Sequence, residues 1–102
     1  MATKTAVAAP ASVQFLDAHE PGQKIILVLQ QGFVFTGLVA NPLEHPTGTV
    51  CITDAACIRS WGTDRGLGQI ALSGPTTSTV LDPVGTLTCP SRSEVFRLPC
   101  VV

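Results

Sequence analysis

KIILVLQQGFVFTGLVA, from Lys24 to Ala40, is the stretch of sequence that most clearly predicts the fold. Lys24 to Gln30 is dense in β-branched and aliphatic residues, as is typical of a buried strand. Phe33 to Ala40 is a second such run, and the Gln31-Gly32 pair between the two runs predicts a tight turn and therefore a β-hairpin. Gly37 inside the second run indicates a bulge or the close approach of another backbone.

Outside this hairpin, the sequence predicts further short strands and one helix. Thr49 to Thr53 and Ala56 to Trp61 predict two strands, separated by a turn or bulge at Asp54-Ala55. Thr63 to Ser73 predicts a short helix with Thr63 as its N-cap. The remaining predicted elements are a first strand at Ser12 to Leu16, loops at Asn41 to Gly48 and Pro75 to Asp82, and two final strands at Val84 to Cys89 and Glu94 to Cys100. The predicted fold is mainly β, a small antiparallel sheet or barrel of five to seven strands with one short helix.

Length and hydropathy indicate one domain. The 102 residues fit a single domain, which we place at residues 12–102. Residues 1–11 contain one lysine and many small residues without the apolar segment of a signal peptide, and we predict a flexible N-terminal tail there. No run reaches the roughly 18 apolar residues of a transmembrane helix, so we expect no membrane partner and a cytoplasmic location.

The charge content bears on the partners of the chain. Charged residues make up 13% of the sequence, against a usual fraction of roughly 25%. Such a chain leaves apolar surface that we expect another copy of the chain, or a different partner, to cover. The net charge is −1 and the six basic residues are scattered, so no long nucleic acid is expected as a partner. A small anion needs only one or two arginines and stays possible.

The cysteines and histidines predict neither a metal site nor catalysis. The cysteines are Cys51, Cys57, Cys89 and Cys100. None lies in a two-residue Cys-to-Cys spacing, and His19 and His45 are remote from them in sequence. We expect the thiols to be reduced, small, buried hydrophobic groups. Because no triad or phosphate-loop motif is present either, the sequence predicts a chain that is not an enzyme and needs no cofactor.

The best candidate for a binding site is the junction RSWGTDRG between the Ala56 to Trp61 strand and the predicted helix. A helix start offers unpaired backbone N–H groups and the positive end of a dipole, which suit a phosphate. Trp61 is the only tryptophan and could stack on a base, while glycines let a ligand approach the backbone. The predicted ligand-binding residues are Arg59, Trp61, Gly62, Thr63, Arg65 and Gly66.

Other interpretations of these residues stay open. Trp61 could anchor the core, and the two arginines could be solvated or paired with Asp54 and Asp64. The hydroxyls of the polar loop Thr76 to Thr79 could contact a ligand or form ordinary turns.

One motif in the chain is distinctive. Asp54-Ala55-x-x-Ile58-x-x-Trp61, followed by Gly66-Leu67-x-x-Ile70-Ala71-x-x-Gly74, resembles a family of small accessory proteins encoded by tailed bacteriophages. The resemblance covers roughly Lys24 to Cys100. This chain departs from the family pattern in the loop Asn41 to Gly48 and in an insertion at Pro75 to Pro83.

The resemblance implies a non-catalytic protein that acts in the cytoplasm of an infected bacterial host. Small phage proteins of this kind often counter host defence, some by capturing nucleotide immune signals. The resemblance thus suggests a sponge for a nucleotide-derived signal, and the low charge content adds the expectation of a homo-oligomer. The alternative is a protein-interaction module that blocks a host defence protein or serves as a virion accessory protein.

Overall fold

One antiparallel sheet with a short helix on one face organises the chain. The computed structural model describes residues 16–40 and 48–101. Its elements are β1 (Lys24–Leu29), β2 (Val34–Val39), β3 (Thr49–Ser60), α1 (Leu67–Ser73), β4 (Val80–Pro90) and β5 (Glu94–Pro99). The strand order is β4-β3-β2-β1-β5, and every neighbouring pair is antiparallel. The predicted fold class is confirmed, with five strands in the described ranges. The predicted tail at residues 1–11 lies outside those ranges, as do most of the Ser12 to Leu16 strand and of the Asn41 to Gly48 loop.

The predicted hairpin is present as β1 and β2. A single 3-10 turn at Gln30–Gly32 joins them, with positive φ values of 67° at Gln31 and 85° at Gly32. The Leu29 N–H donates to the Phe33 carbonyl over 2.8 Å and closes the turn. The pair register places Ile26 opposite Thr36.

Apolar side chains on both faces of the sheet form the core. Ile25, Ile26 and Leu27 are fully buried because β1 lies between β2 and β5 and contributes to an apolar cluster on each face. On the helix face, which is the face covered by α1, Ile26 packs with Leu67 and Ile70. The cluster on the other face contains Ile25, Leu27, Leu29, Val39, Ile52 and Ala55. Burial on both faces explains why β1 is an unbroken aliphatic run rather than an alternating one.

A bulge at Asp54 interrupts β3 without ending it. Asp54 has a positive φ of 47°, and the pairing of β3 shifts register between Ile52 and Ala55. The bulge predicted at Asp54-Ala55 is therefore present, but the prediction of two strands is wrong, because one strand runs from Thr49 to Ser60. A bulge adds an unpaired residue and bends the strand while the ladder continues on either side.

Gly37 of β2 lies directly against this bulge. A Cβ atom at Gly37 would sit 2.9 Å from the Thr53 carbonyl oxygen and 3.2 Å from the Ala55 Cα. The predicted close approach of another backbone is therefore confirmed.

We expect the Gly37→Ala substitution to lower the free energy of unfolding by about 2 kcal/mol, as overpacking against backbone does. Urea denaturation measures the loss. The matched control is Gly68→Ala in α1, where a Cβ atom would meet nothing within 4 Å. That control should be neutral or stabilising, since alanine favours a helix more than glycine does. Equal midpoints for the two variants would contradict the packing shown by the structure.

The helix is shorter than predicted, and Thr63 is not its N-cap. α1 begins at Leu67, and its N-cap is Gly66, whose φ of 77° is not helical. The Thr63 hydroxyl donates instead to the Gly66 carbonyl over 3.0 Å. The Gln69 Oε1 atom accepts from the N–H groups of Asp64 (3.2 Å) and Arg65 (3.0 Å). This side chain therefore holds the preceding residues in a turn that does not join the helix.

The four cysteines are free thiols. Cys51 and Cys100 are buried, whereas Cys57 and Cys89 are half-buried. Burial is the main cause that raises the pKa of the Cys89 and Cys100 thiols. In the described ranges, no helix is both long and apolar enough to cross a membrane.

Candidate functional site

The loop that precedes β4 fixes the backbone of the predicted junction. The Thr79 hydroxyl donates to the Trp61 carbonyl over 2.7 Å, and the Thr76 hydroxyl donates to the Gly62 carbonyl over 2.6 Å. The Thr76 N–H donates in turn to the Thr79 Oγ1 over 2.9 Å. The Thr76 and Thr79 hydroxyls thus form turn and loop contacts, and their protons are not directed at a ligand.

Gly62 allows the two segments to touch. Its φ is 63°, and a Cβ atom there would lie 2.3 Å from the Ser78 carbonyl carbon and 2.5 Å from the Thr79 nitrogen. Only a residue without a side chain permits this contact.

Trp61 is a surface residue rather than a core anchor. The residue is 46% exposed, and one edge of its ring lies beside Gly66, where a Cβ atom would be 3.5 Å from the Trp61 Cζ3. The interpretation of Trp61 as a core residue is wrong. The chain instead presents an exposed indole on a backbone fixed by two hydrogen bonds.

The two arginines of the predicted site differ in their partners. Arg59 Nε donates to Asp82 Oδ2 over 2.7 Å, and this hydrogen bond is the main cause that raises the pKa of Arg59. Its partner is therefore neither Asp54 nor Asp64. Both side chains of the pair are largely exposed. Arg65 is exposed, and among the residues that the structure describes its guanidinium has no carboxylate within 4.0 Å.

Three backbone N–H groups at the predicted phosphate site have partners within the chain. The Asp64 and Arg65 N–H groups are taken by Gln69 Oε1, and the Gln69 N–H donates to the Gly66 carbonyl over 3.2 Å. The N–H groups of Asp64, Arg65 and Gln69 are therefore occupied. Trp61 and the arginines remain as the exposed groups of the predicted site.

A trough on the helix face was not predicted from the sequence. It has a volume of about 290 Å³ and, besides Gly37, is lined by Lys24, Thr36, Leu38, Asp54, Ala56 and Leu81. A small crevice that shares Lys24, Thr36 and Leu81 runs from it to Ile70, Pro75 and Cys100. We call the larger hollow the Lys24–Asp54 trough. The Gly37 and Asp54-Ala55 irregularities were the sequence signals beside it.

In a second hollow, of about 280 Å³, the lining arginine is engaged in structural contacts. Arg97 lines it and donates from Nε and Nη2 to both Glu94 oxygens, over 2.6 and 2.7 Å. Its Nη1 atom donates to the Ala18 carbonyl over 3.0 Å. His19 also lines this hollow, but residues 16–40 and 48–101 contain no group of three metal-binding side chains. His45 lies outside the described residues.

The two outer strands of the described sheet carry exposed apolar side chains. β4 pairs only with β3, and β5 only with β1, among the described strands. On β4 the Val84 side chain is 46% exposed, and on β5 Val95 and Phe96 are 58% and 47% exposed.

Comparison with known proteins gives a distant structural likeness. No family model and no curated protein matches the chain. A heptameric archaeal Sm protein aligns over 76% of this chain and 85% of its own, with 15% identity and a TM-score of 0.49. The P. aerophilum SmAP1 heptamer aligns over 76% of this chain and 78% of its own, with 15% identity and a TM-score of 0.49. The Pyrococcus abyssii Sm protein in complex with a uridine heptamer covers 78% and 84%, with 15% identity and a TM-score of 0.48. A likeness of this degree does not by itself identify a ligand or an assembly.

Proposed function

We propose that this chain is a non-catalytic binding protein that assembles from its own copies and captures a small nucleotide-like ligand on the surface around Trp61. The observation that carries the proposal is the 46% exposure of Trp61 on a backbone held by the Thr76 and Thr79 hydroxyls. An aromatic ring on a fixed backbone loses little conformational freedom when a base stacks on it.

The neighbouring charges suit a ligand with an anionic group. Arg65 is exposed, and a guanidinium forms strong charge-assisted hydrogen bonds with phosphate. Arg59 can exchange its partner Asp82 for a ligand at little cost, because a solvent-exposed ion pair is weak. No histidine of the described chain lies in this junction, and its threonine hydroxyls already donate to backbone. The site therefore favours binding over catalysis.

Assembly through the sheet edges would provide the enclosure that tight binding needs. Val84 on β4 and Val95 and Phe96 on β5 are apolar side chains at unpaired edges, which favour pairing with another chain. Pairing of β4 in one copy with β5 in the next would be a head-to-tail contact that can close into a ring. β4 begins directly after Thr79, so the added copy would lie beside Trp61.

Enclosure matters because sequestration of a scarce signal requires strong binding. A nanomolar dissociation constant corresponds to about −12 kcal/mol, near the limit for a dinucleotide-sized ligand at roughly −0.3 kcal/mol per heavy atom. An open surface on one copy would leave much of such a ligand in water. In the phage setting implied by the family resemblance, the captured molecule would be a nucleotide-derived immune signal.

The test is thermal stability of the purified chain with a panel of cyclic dinucleotides and ADP-ribose derivatives. A ligand present at 100 times its dissociation constant stabilises by about 2.7 kcal/mol, or a Tm rise of roughly 10 °C for a domain of this size. Trp61→Ala should abolish the rise. The matched control Phe33→Ala removes another aromatic residue, which is 56% exposed. This control should retain the rise in Tm. The absence of any shift, or an equal shift in Trp61→Ala, would count against the proposal.

A second candidate function is recognition of another protein. Phe33 and Phe96 are both exposed near the end of β1: Phe96 pairs with Val28, and the Phe33 carbonyl accepts from Leu29. Exposed aromatics of this kind are typical anchors of interfaces. A pull-down that recovers one host protein in equal amount, and that fails with Phe96→Ser, would favour this function. Sedimentation of the chain alone as a single copy would remove the support for self-assembly.

A further inference from the structure

The β3 bulge lies at the Lys24–Asp54 trough, which is lined by both Asp54 and Gly37. Asp54 is one of two non-glycine residues with a positive φ in the described chain, a backbone conformation that is uncommon outside glycine and that aspartate and asparagine adopt more readily than most residues. The bulge fits only because Gly37 leaves room for the Thr53 carbonyl. Bulges often redirect a side chain next to a functional site. Here Asp54 lines the trough at the bulge, and Lys24 lines it from a strand that lies two positions away in the sheet.

Two opposite charges line this trough without neutralising each other. Lys24 is on β1 and Asp54 is on β3, with β2 between them, so their backbones are about 10 Å apart at two strand spacings. Among the described residues neither side chain has an ion-pair partner within 4.0 Å. Both residues are exposed.

The buried thiol of Cys100 lies near Lys24. Burial raises the pKa of that thiol, and the nearby Lys24 charge opposes the rise. The thiol therefore stays neutral at pH 7 and does not compete for the lysine. Cys100 and Lys24 both line the crevice that continues from the trough.

The wall between the charges is mainly apolar. Leu38, Ala56 and Leu81 line it, and Leu38 lies directly opposite Lys24 in the β1–β2 pair. A ligand that fits must present an anionic group to Lys24, hydrogen-bond donors to Asp54, and a carbon face to the wall between them. A carboxylate with two oxygens can accept from two neighbouring hydroxyls at once.

We propose that the Lys24–Asp54 trough binds a sugar phosphate group, with the phosphate at Lys24 and neighbouring sugar hydroxyls at Asp54. The group could be a free sugar phosphate or part of a nucleotide. The trough proposal rests on the proposed function only for the class of ligand, a nucleotide-like molecule, because Trp61 does not line the trough. The volume of about 290 Å³ lies at the lower end of the usual range of small-molecule pockets.

The test is an NMR titration of the full chain with ribose 5-phosphate, AMP, 2-deoxyribose 5-phosphate and adenosine. Ribose 5-phosphate and AMP should shift the amide signals of Leu38, Asp54 and Ala56. Loss of one hydroxyl in 2-deoxyribose 5-phosphate, or of the phosphate in adenosine, should weaken binding at least about tenfold. Binding of ribose 5-phosphate but not of AMP would identify a site for free sugar phosphates. Binding of both would extend the site to nucleotides.

Two variants test the residues directly. Lys24→Gln and Asp54→Asn should each weaken ribose 5-phosphate binding at least about tenfold. Asparagine tolerates a positive φ as aspartate does, so the bulge is retained. The charge-matched controls Arg92→Gln and Glu20→Gln lie elsewhere on the surface and should bind like the unchanged chain.

The outcomes separate this proposal from the Trp61 site. Trough amides that do not shift with any of the four compounds, or Lys24→Gln binding that is unchanged, would overturn the trough proposal. Nucleotide binding that is lost in Trp61→Ala but kept in Lys24→Gln would support the Trp61 site alone. The reverse pattern would support the trough and count against the Trp61 site.

Discussion

The Gly62→Ala substitution is expected to lower the free energy of unfolding by about 3 kcal/mol. The added Cβ atom would lie 2.3 Å from the Ser78 carbonyl carbon and 2.4 Å from its oxygen, and backbone atoms cannot move aside as the end of a side chain can. The φ of 63° adds a cost of roughly 1–2 kcal/mol for any residue with a Cβ atom. The steric clash and the unfavourable φ therefore both destabilise the variant, and the loop from Thr76 to Thr79 must move away from Trp61.

Urea denaturation of the variant and of Gly85→Ala would separate these two causes. Gly85 also has a positive φ, of 82°, but a Cβ atom there would meet nothing within 4 Å. Gly85→Ala should lose only the stability that corresponds to the unfavourable φ. If Gly62→Ala were no less stable than Gly85→Ala, the loop would not be packed against Gly62 as the structure shows.

The Arg97→Met substitution is expected to cost about 2–3 kcal/mol, somewhat less than breaking a fully buried ion pair. The side chains of Arg97 and Glu94 are only 11% and 16% exposed, so the variant leaves a carboxylate largely shielded from water without its partner. The Ala18 carbonyl also loses the donor that ties the segment before β1 to β5. Thermal and urea denaturation at pH 7 measure the loss.

A double variant and an exposed control test the cause. Adding Glu94→Gln to Arg97→Met should recover part of the stability, because the unpaired charge is removed. Arg59→Met breaks an ion pair whose side chains are 67% and 48% exposed, and it should have a much smaller effect, since water screens that pair. Equal losses in Arg97→Met and Arg59→Met would contradict a stabilising role for the Arg97 pair.

Local patterns predicted the sheet well. The aliphatic run of β1, the Gln31-Gly32 turn and the Gly37 irregularity all depend on neighbours close in sequence, and all were predicted correctly. The bulge at Asp54 was also predicted. The continuation of β3 beyond it was not, because the ladder that maintains the strand comes from β2 and β4.

The junction was predicted less well, because distant residues determine it. Thr63 has the residue type of an N-cap, but Gln69 binds the preceding N–H groups and Gly66 takes a non-helical φ. The exposure of Trp61 depends on contacts with Thr79, which lies in a different loop. The role of Trp61 and the arginines in ligand binding stays a prediction, as does the phage origin of the chain.

The Lys24–Asp54 trough could not be predicted from spacing alone. Lys24 and Asp54 are far apart in sequence, and they line the same trough only because β1 and β3 both pair with β2. A sequence pattern indicates that a bulge is present. It does not indicate which face of the sheet carries the trough, since that depends on which part of the sheet α1 leaves uncovered.

The central place of β1 has a consequence for how the chain must be made. Its hairpin partner β2 follows at once, but its other neighbour, β5, is the last strand of the described chain, with Ile25 opposite Pro99. Until the ribosome has synthesised the intervening residues, the apolar edge of β1 that pairs with β5 has no native partner strand. Nascent or truncated chains would therefore tend to aggregate, and chaperones would bind them more readily than the full-length protein.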